Sequence, residues 1–465
     1  MARKSQARRW GSSVHGIEEI EGGREEPGGD VGHDCDGDEV RGQEGRHRLR
    51  DGRAESIRQS ESTDRPSRPS DAHWKTGDRP VPSTQSLAAA ATGGERGLIG
   101  GSGPAQDAVD GRDGFGGNER GPVYGALDLG TNNCRLLLAR PSRRGFRVVD
   151  AFSRIIRLGE GVSQTGRLSD AAMGRTRDAL KVCASKLAKA QVHRARLVAT
   201  EACRIAENGP TFLDEMRSEL GLDIEILSRE DEARLAVSGC ASLIDYTSDY
   251  VLVFDIGGGS SELIWLDVGR RGGARQSLAS RVEAQNCMKA WTSLPVGVVT
   301  LAERFGGRHV GHTEFEAMVA FVLEMLEPFE REAGFRELAR SGSVHLLGTS
   351  GTVTTVAGIQ LGLDRYDRSK VDGCWLDVRD VKRVTDGLLR QSYEERVAEP
   401  CIGRDRADLV LAGCAILEAL LRMWPCERLR VADRGLREGI LMTMMIEDGA
   451  HRVGRRRRYR GRGGQ

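Results

Sequence analysis

Apolar residues are sparse and without a period up to about residue 120, and beyond it they form short runs separated by amphipathic segments. Two stretches share one pattern, in which an apolar run, a turn with Asp and Gly, and a second apolar run follow one another. The runs are residues 124–127 and 136–139 in the first stretch and residues 250–254 and 263–266 in the second. Because two apolar strands joined by a tight turn form a β-hairpin, each stretch is expected to open a β-sheet.

Strand-like and helix-like segments alternate along the rest of the chain. Strands are predicted at residues 124–127, 134–139, 146–152, 197–199, 224–227, 251–255, 262–267, 276–282 and 344–347. Helices are predicted at 170–191, with Ser169 or Asp170 as the N-cap, at 209–220, and from His312, Asp377 and Asp405. This alternation predicts an α/β protein with helices packed on sheets. The two similar openings indicate a duplicated domain with a substrate cleft between the copies.

The segment before residue 121 does not have the composition of a core. It holds only 13 Leu, Ile, Val or Phe among many Gly, Arg, Asp and Glu, and so little apolar surface does not offset the entropy lost on ordering. Residues 1–120 are interpreted as disordered, or as an extension from a misplaced start codon. The rest is divided into domain I at 121–247, domain II at 248–452 and a basic disordered tail at 453–465.

Composition excludes several classes of function. The formal net charge is +1, so no global field attracts nucleic acid, and only the Arg-rich tail could touch RNA or polyphosphate. No run approaches the ~18 apolar residues that a membrane span requires. The ten cysteines lack a Cys-x-x-Cys motif, which indicates core residues in a reducing cytoplasm. His309 and His312 lie in a Gly-rich segment and are not expected to bind metal.

The two turns with Asp and Gly have the chemistry of a phosphate site. Glycine lets backbone N–H groups approach anionic oxygens, hydroxyl groups add donors, and a carboxylate can hold a Mg²⁺ ion beside the phosphate. The candidate phosphate-binding residues are Gly130, Thr131, Asn132 and Asn133 in the first turn and Gly257, Gly258, Gly259, Ser260 and Ser261 in the second. Either turn alone could be an ordinary hairpin turn, whereas two of them can hold one polyanion from both sides.

Eight segments, in order along the chain, resemble the exopolyphosphatase and guanosine pentaphosphate phosphatase (Ppx/GppA) family, within the superfamily of actin, Hsp70 and the sugar kinases. They are residues 128–132, 157–162, 199–204, 232–235, 255–260, 295–301, 348–352 and 433–439. The resemblance covers about residues 123–452. It implies two ribonuclease-H-like domains flanking a cleft, and hydrolysis of a terminal phosphoanhydride by water.

The resemblance also implies roles for single side chains. Glu232 matches the family's catalytic base, and Arg204 matches an arginine implicated in phosphate binding. Asp128 and Asp255 match the metal-proximal aspartates and Glu262 matches the acid after the second turn, so Mg²⁺ or Mn²⁺ is the expected cofactor. Without the resemblance, Glu232 could be a solvated residue at the start of a helix, and Arg204 could be a surface ion-pair partner. Asp128, Asp255 and Glu262 could then be ordinary turn formers.

Departures from the family pattern leave the substrate open. The family often has Ser-Gly before its paired glutamates, whereas residues 228–232 of this chain are Ser-Arg-Glu-Asp-Glu, which keep the acidic pair as Asp231 and Glu232. Asn133 stands where serine is common. The chain ends soon after residue 439, so the extra C-terminal helical domain of longer members is expected to be absent, which weakens the case for processivity. Polyphosphate and guanosine pentaphosphate are both candidate substrates. The protein could also form a homodimer. The alternatives are a kinase or ATPase of the same superfamily, and a non-catalytic sensor of guanosine tetra- or pentaphosphate.

Overall fold

The structure, a computed structural model, describes residues 121–142, 145–269, 283–341 and 343–450. Its strands are β1 (Tyr124–Leu129), β2 (Asn133–Ser142), β3 (Gly145–Ile155), β4 (Arg194–Ala199), β5 (Glu225–Ile226), β6 (Tyr250–Ile256), β7 (Ser261–Asp267), β8 (Met288–Leu294), β9 (Val344–Gly348), β10 (Trp375–Asp377) and β11 (Arg428–Val431). Its helices are α1 (Val162–Thr165), α2 (Asp170–Lys189), α3 (Glu201–Ile205), α4 (Gly209–Leu220), α5 (Arg229–Cys240), α6 (Val298–Phe305), α7 (His312–Ala333), α8 (Arg336–Arg340), α9 (Gly351–Gln360), α10 (Arg368–Val371), α11 (Val378–Arg390), α12 (Tyr393–Ala398), α13 (Val410–Met423) and α14 (Leu436–Glu447). The segments interpreted as disordered, 1–120 and 453–465, and the strand predicted at 276–282 lie outside the described residues.

The two sheets repeat one topology. The first has the order β3-β2-β1-β4-β5, in which β1 to β3 form an antiparallel meander and β4 and β5 run parallel to β1. The second has the order β10-β11-β9-β6-β7-β8, so β6, β7, β8, β9 and β11 repeat the positions and directions of β1 to β5. Strand β10 adds an antiparallel edge. This is the ribonuclease-H-like strand order, and the predicted duplicated α/β fold is confirmed.

Both faces of the first sheet are covered, which explains its continuous apolar sequence. Leu127 and Leu129 of β1 pack in one core with Leu180 of α2, whereas Tyr124 and Ala126 belong to another core, which contains α14. Successive side chains of a strand point to opposite faces, so odd and even positions serve different layers. Strand β3 lies at the edge and is largely exposed.

The last helix of each half packs on the sheet of the other half. The first half runs from β1 to α5 and the second from β6 to α14. Val237 of α5 packs with Val251 of the second sheet, and Ile440 of α14 packs with Tyr124 of the first sheet. The two halves are therefore joined by a pair of exchanged helices.

These exchanged helices cross at glycines. A Cβ atom on Gly239 of α5 would collide with the carbonyl oxygen of Gly435, and one on Gly439 of α14 would collide with that of Leu235. Only glycine allows the two backbones to come so close. The crossing is thus encoded by Gly239 and Gly439 on facing helices.

A second set of contacts, called here the clasp, joins the halves through polar groups. The Arg157 guanidinium donates to both carboxylate oxygens of Asp408 at 2.8 and 2.9 Å. The backbone N–H of Gly161 and the hydroxyl of Ser163 donate to the two carboxylate oxygens of Glu303 at 2.7 and 2.6 Å. The clasp holds the loop after β3 against the second half.

One predicted helix begins later than its sequence pattern indicates. The helix expected from Asp405 starts at Val410, and residues 404–409 form turns. The carboxylate of Asp408 is bound to Arg157 rather than acting as a helix cap. The third strand of the meander in the second sheet, which pairs with β7, is β8 at residues 288–294.

No helix in the described ranges is long and apolar enough to cross a membrane. The nine cysteines within those ranges are free thiols, and six of them are buried. Cys183 and Cys414 are among the buried ones, which confirms their prediction as core residues.

Candidate active site

The two turns with Asp and Gly fold alike. Between β1 and β2, the N–H of Gly130 donates to the carbonyl oxygen of Asn133 at 2.9 Å. Between β6 and β7, the N–H of Gly257 donates to the carbonyl oxygen of Ser260 at 2.9 Å. The same bond at equivalent places in a duplicated fold gives each half one turn of the same shape.

The two turns are in contact. A Cβ atom on Gly258 would lie 2.9 Å from the Cβ of Thr131, and one on Gly259 would lie 2.8 Å from the Oγ1 of Thr131. Thr131 and Asn132 are both buried by this approach. Glycine suits the second turn because the Thr131 side chain, and at Gly258 also the backbone nitrogen of Asn132 at 3.1 Å, leave little room for a Cβ atom.

A cavity of about 150 Å³ lies where the turns meet, and side chains from both halves line it. Eight of the nine candidate turn residues line this cavity: Gly130, Thr131, Asn132, Asn133, Gly257, Gly258, Gly259 and Ser260. Ser261 does not line it. The hydroxyl of Ser261 is buried and donates to the carbonyl oxygen of Val296 at 2.7 Å, so its side chain fixes the backbone beside the turn.

Four carboxyl groups line the same cavity, those of Asp128, Glu232, Asp255 and Glu262. Burial and the charge of Glu232 raise the pKa of Asp255 to about 7. Burial and the charge of Asp255 raise the pKa of Glu262 to about 7. Burial also raises the pKa of Asp128. Crowded carboxyls in a desolvated cleft indicate a functional site, because each ionised group disfavours the next.

Glu232 lies in the first turn of α5 and faces inward. Its side chain is only 14% exposed, so it is not the solvated helix-start residue of the alternative interpretation. Burial and the charge of Glu262 raise its pKa to about 8, and Arg204 acts in the opposite direction. Ser228 is the N-cap of this helix, and its hydroxyl accepts from the N–H of Asp231 at 3.1 Å.

Arg204 contacts the candidate base. Its Nη2 lies 2.5 Å from the Oε2 of Glu232. Its Nε and Nη1 are buried without a hydrogen-bond partner among the described residues. Arg204 is thus placed beside Glu232 with N–H groups left to donate.

The model of the Ppx/GppA phosphatase family matches residues 138–448 of the chain. The chain belongs to this family. A guanosine-5'-triphosphate,3'-diphosphate pyrophosphatase of Photobacterium profundum is 28% identical over 339 residues, which are 72% of this chain and 62% of that relative. The chain therefore spans less than two thirds of that curated relative.

Solved structures of Ppx/GppA proteins share the fold. The crystal structure of the Aquifex aeolicus family member has a TM-score of 0.55 and 27% identity, covering 70% of this chain and 98% of that one. That of an exopolyphosphatase-like protein has a TM-score of 0.60 and 30% identity, covering 70% and 97%.

This Ppx/GppA protein has a second cavity of about 500 Å³, which shares Asp128 and Asp255 with the first. Five arginines line it: Arg135, Arg368, Arg406, Arg434 and Arg437. Arg368 pairs with Glu438, and Arg434 pairs with Asp372. The ion pairs among the described residues leave Arg135, Arg406 and Arg437 unpaired. None of these arginines was predicted as a site residue from the sequence, although Arg135 within the apolar strand β2 was an available signal.

Proposed function

We propose that this Ppx/GppA protein hydrolyses the terminal phosphoanhydride of inorganic polyphosphate or guanosine pentaphosphate, with water as the attacking group. Glu232 carries the proposal, because its carboxyl has a pKa of about 8 and lies in the wall of the cavity between the two turns. A carboxylate with a raised pKa accepts a proton near neutral pH more readily than an ordinary glutamate does.

The terminal phosphoryl group would occupy the cavity between the turns. Backbone N–H groups of glycine-rich turns bind phosphate oxygens from close range. Arg204 contacts Glu232 behind the cavity wall without lining the cavity itself, and its Nε and Nη1, which have no hydrogen bond to a described residue, would bind another oxygen. Phosphoryl transfer requires that the attacking and leaving oxygens be held in line while charge on the equatorial oxygens is stabilised. Glu232 on one wall would orient the water and take its proton.

A divalent cation fits the donor set without a complete protein site. No group of three or more His, Cys, Asp or Glu side chains in the described ranges is arranged to hold a metal. Mg²⁺ commonly uses one or two carboxylates and completes its shell with waters and substrate oxygens. One or two of Asp128, Asp255 and Glu262 would supply the carboxylates, and the ion would neutralise charge between these groups and the substrate.

The arginine cavity suits the part of the substrate that is not transferred. Arg135 and Arg406 line both cavities, so a chain of phosphates can pass from one to the other beside unpaired guanidinium groups. Guanidinium binds two phosphate oxygens at once. A polyanion longer than one phosphate is thus favoured, and both candidate substrates satisfy this condition.

Phosphate release by the purified chain with Mg²⁺ tests the proposal. Polyphosphate and guanosine pentaphosphate are supplied separately, with ATP as a third substrate. Release from either of the first two, exceeding release from ATP, is expected. Transfer from ATP to a sugar would support the kinase, and tight binding of guanosine tetraphosphate without turnover of any substrate would support the sensor.

The cofactor has its own test. Activity should require a divalent ion, and Asp255→Asn should raise the Mg²⁺ concentration for half-maximal activity, because one oxygen ligand loses its charge. A Mg²⁺ titration of both proteins measures the shift. Full activity in excess chelator would contradict the metal assignment.

A further inference from the structure

A second ion pair, in which the carboxylate is buried, lies next to the Glu232–Arg204 contact. Glu201, on α3, has a side chain only 3% exposed, and its Oε1 accepts from the Nη2 of Arg229 at 2.6 Å. The Oε2 of Glu201 makes no hydrogen bond with the described residues, and the Nη1 of Arg204 lies 3.5 Å from it. The position of a Cβ on Gly259 is 3.2 Å from the Cγ of Glu201, so Glu201 also lies against the second turn.

The four side chains form a group of alternating charge on two helices. Glu201 and Arg204 are three residues apart on α3, and Arg229 and Glu232 are three residues apart on α5. Residues at this spacing share one face of a helix. The contacts run from Arg229 to Glu201, from Glu201 to Arg204, and from Arg204 to Glu232.

Arg204 therefore has two carboxylates within reach. It lies 2.5 Å from Glu232 and 3.5 Å from Glu201. A buried carboxylate without a compensating charge is costly, and Arg229 supplies that charge to Glu201 from the other side. Without Arg229, the nearest cation for Glu201 would be Arg204, which would be drawn away from Glu232.

We infer that Arg229 and Glu201 are positioning residues for the proposed hydrolysis: Arg229 holds Glu201, so that Arg204 stays on Glu232 and keeps its free N–H groups for the substrate. The inference rests on the proposed function. Neither residue need touch the reacting atoms. Arg229 is 40% exposed at its side chain, so its substitution should leave the core intact.

The matched control is Arg234, on the same helix. Its side chain is 39% exposed and pairs with Glu230 at 2.7 Å, so Arg234→Gln removes an equivalent charge without touching Glu201. Arg229→Gln should lower kcat about 10- to 100-fold, as misplacement of catalytic groups does, with a smaller change in KM. Arg229→Lys should retain more activity than Arg229→Gln. Arg234→Gln should behave as the wild type.

The decisive variant is the double one. Glu201→Gln removes the carboxylate that competes for Arg204, so Arg229→Gln with Glu201→Gln should be more active than Arg229→Gln alone. A purely structural role would make the double variant worse. Strictly multiplicative losses, or wild-type kcat in Arg229→Gln, would overturn the inference.

A crystal structure of Arg229→Gln separates this inference from the proposed function, since it needs no activity. Arg204 is expected to move from Glu232 toward Glu201. An unchanged contact between Arg204 and Glu232 would overturn the inference even if the enzyme is active. Absence of phosphate release by the wild type would instead count against the proposed function.

Discussion

Glu262→Gln should stabilise the protein at high pH, because the buried, ionised carboxylate of Glu262 destabilises the folded state. Glu262 is 2% exposed and pairs with Asp255 across the hairpin of β6 and β7. Burial and the charge of Asp255 raise its pKa from an ordinary value of 4.5 to about 7. Glutamine keeps the shape and can still accept from the hydroxyl of Ser293, which donates to Glu262 at 2.9 Å.

The sign and size follow from linkage. Below pH 4.5, the unfolded-state value, the carboxyl is protonated in both states and costs nothing. As pH rises toward 7, the unfolded state ionises first, so the folded state loses stability until its own pKa is passed. The rise of the Glu262 pKa from 4.5 to about 7 corresponds to about 3 kcal/mol at high pH, as an upper limit. Glutamine does not ionise and escapes this loss.

Thermal unfolding in the presence of a chelator measures the effect. The melting temperature of Glu262→Gln should exceed that of the wild type by several degrees near about pH 9. Near about pH 5, the free energies of unfolding of the two proteins should differ by less than about 1 kcal/mol. The exposed Glu230, varied to Gln, serves as the control and should show no such trend. A difference that does not grow with pH, or destabilisation at both values, would refute the reasoning.

Two further expectations concern the junction of the halves. Gly239→Ala should destabilise the fold by about 1 to 3 kcal/mol through overpacking against Gly435, whereas Gly174→Ala, with nothing within 4 Å of its new Cβ, should not; equal melting temperatures for the two variants would contradict the crossing. Arg157→Gln and Asp408→Asn should show a coupling free energy of about 1 kcal/mol in a double-mutant unfolding cycle, and additivity would show that the clasp contributes nothing.

The duplicated sheets could be predicted because the central strands are covered on both faces. Continuous apolar sequence marks such strands, and β1 and β6 both have it. Helix α7 was predicted to begin at His312, and it does. The start of α13 could not be read from sequence, because Asp408 is used by a partner 251 residues away. Local sequence carries no sign of such a contact.

The turns of the site were visible in the sequence for the same local reason, since Gly and Asp at a hairpin are a short-range pattern. The second cavity was not visible. Its arginines come from distant parts of the chain, among them Arg135 on β2 and Arg406 before α13. Their approach depends on tertiary packing. Likewise, nothing in the spacing of Glu201 and Arg229 shows that the two side chains meet.

The role of Glu232 as the base in the cavity between the turns is the central claim, and Glu232→Gln tests it most directly. The amide keeps the shape but cannot take a proton, so kcat for phosphate release should fall roughly 10²- to 10⁴-fold with KM nearly unchanged. Glu230→Gln on the same helical turn, where the side chain is 50% exposed, should retain the activity of the wild type. Turnover near the wild-type rate in Glu232→Gln would contradict the claim.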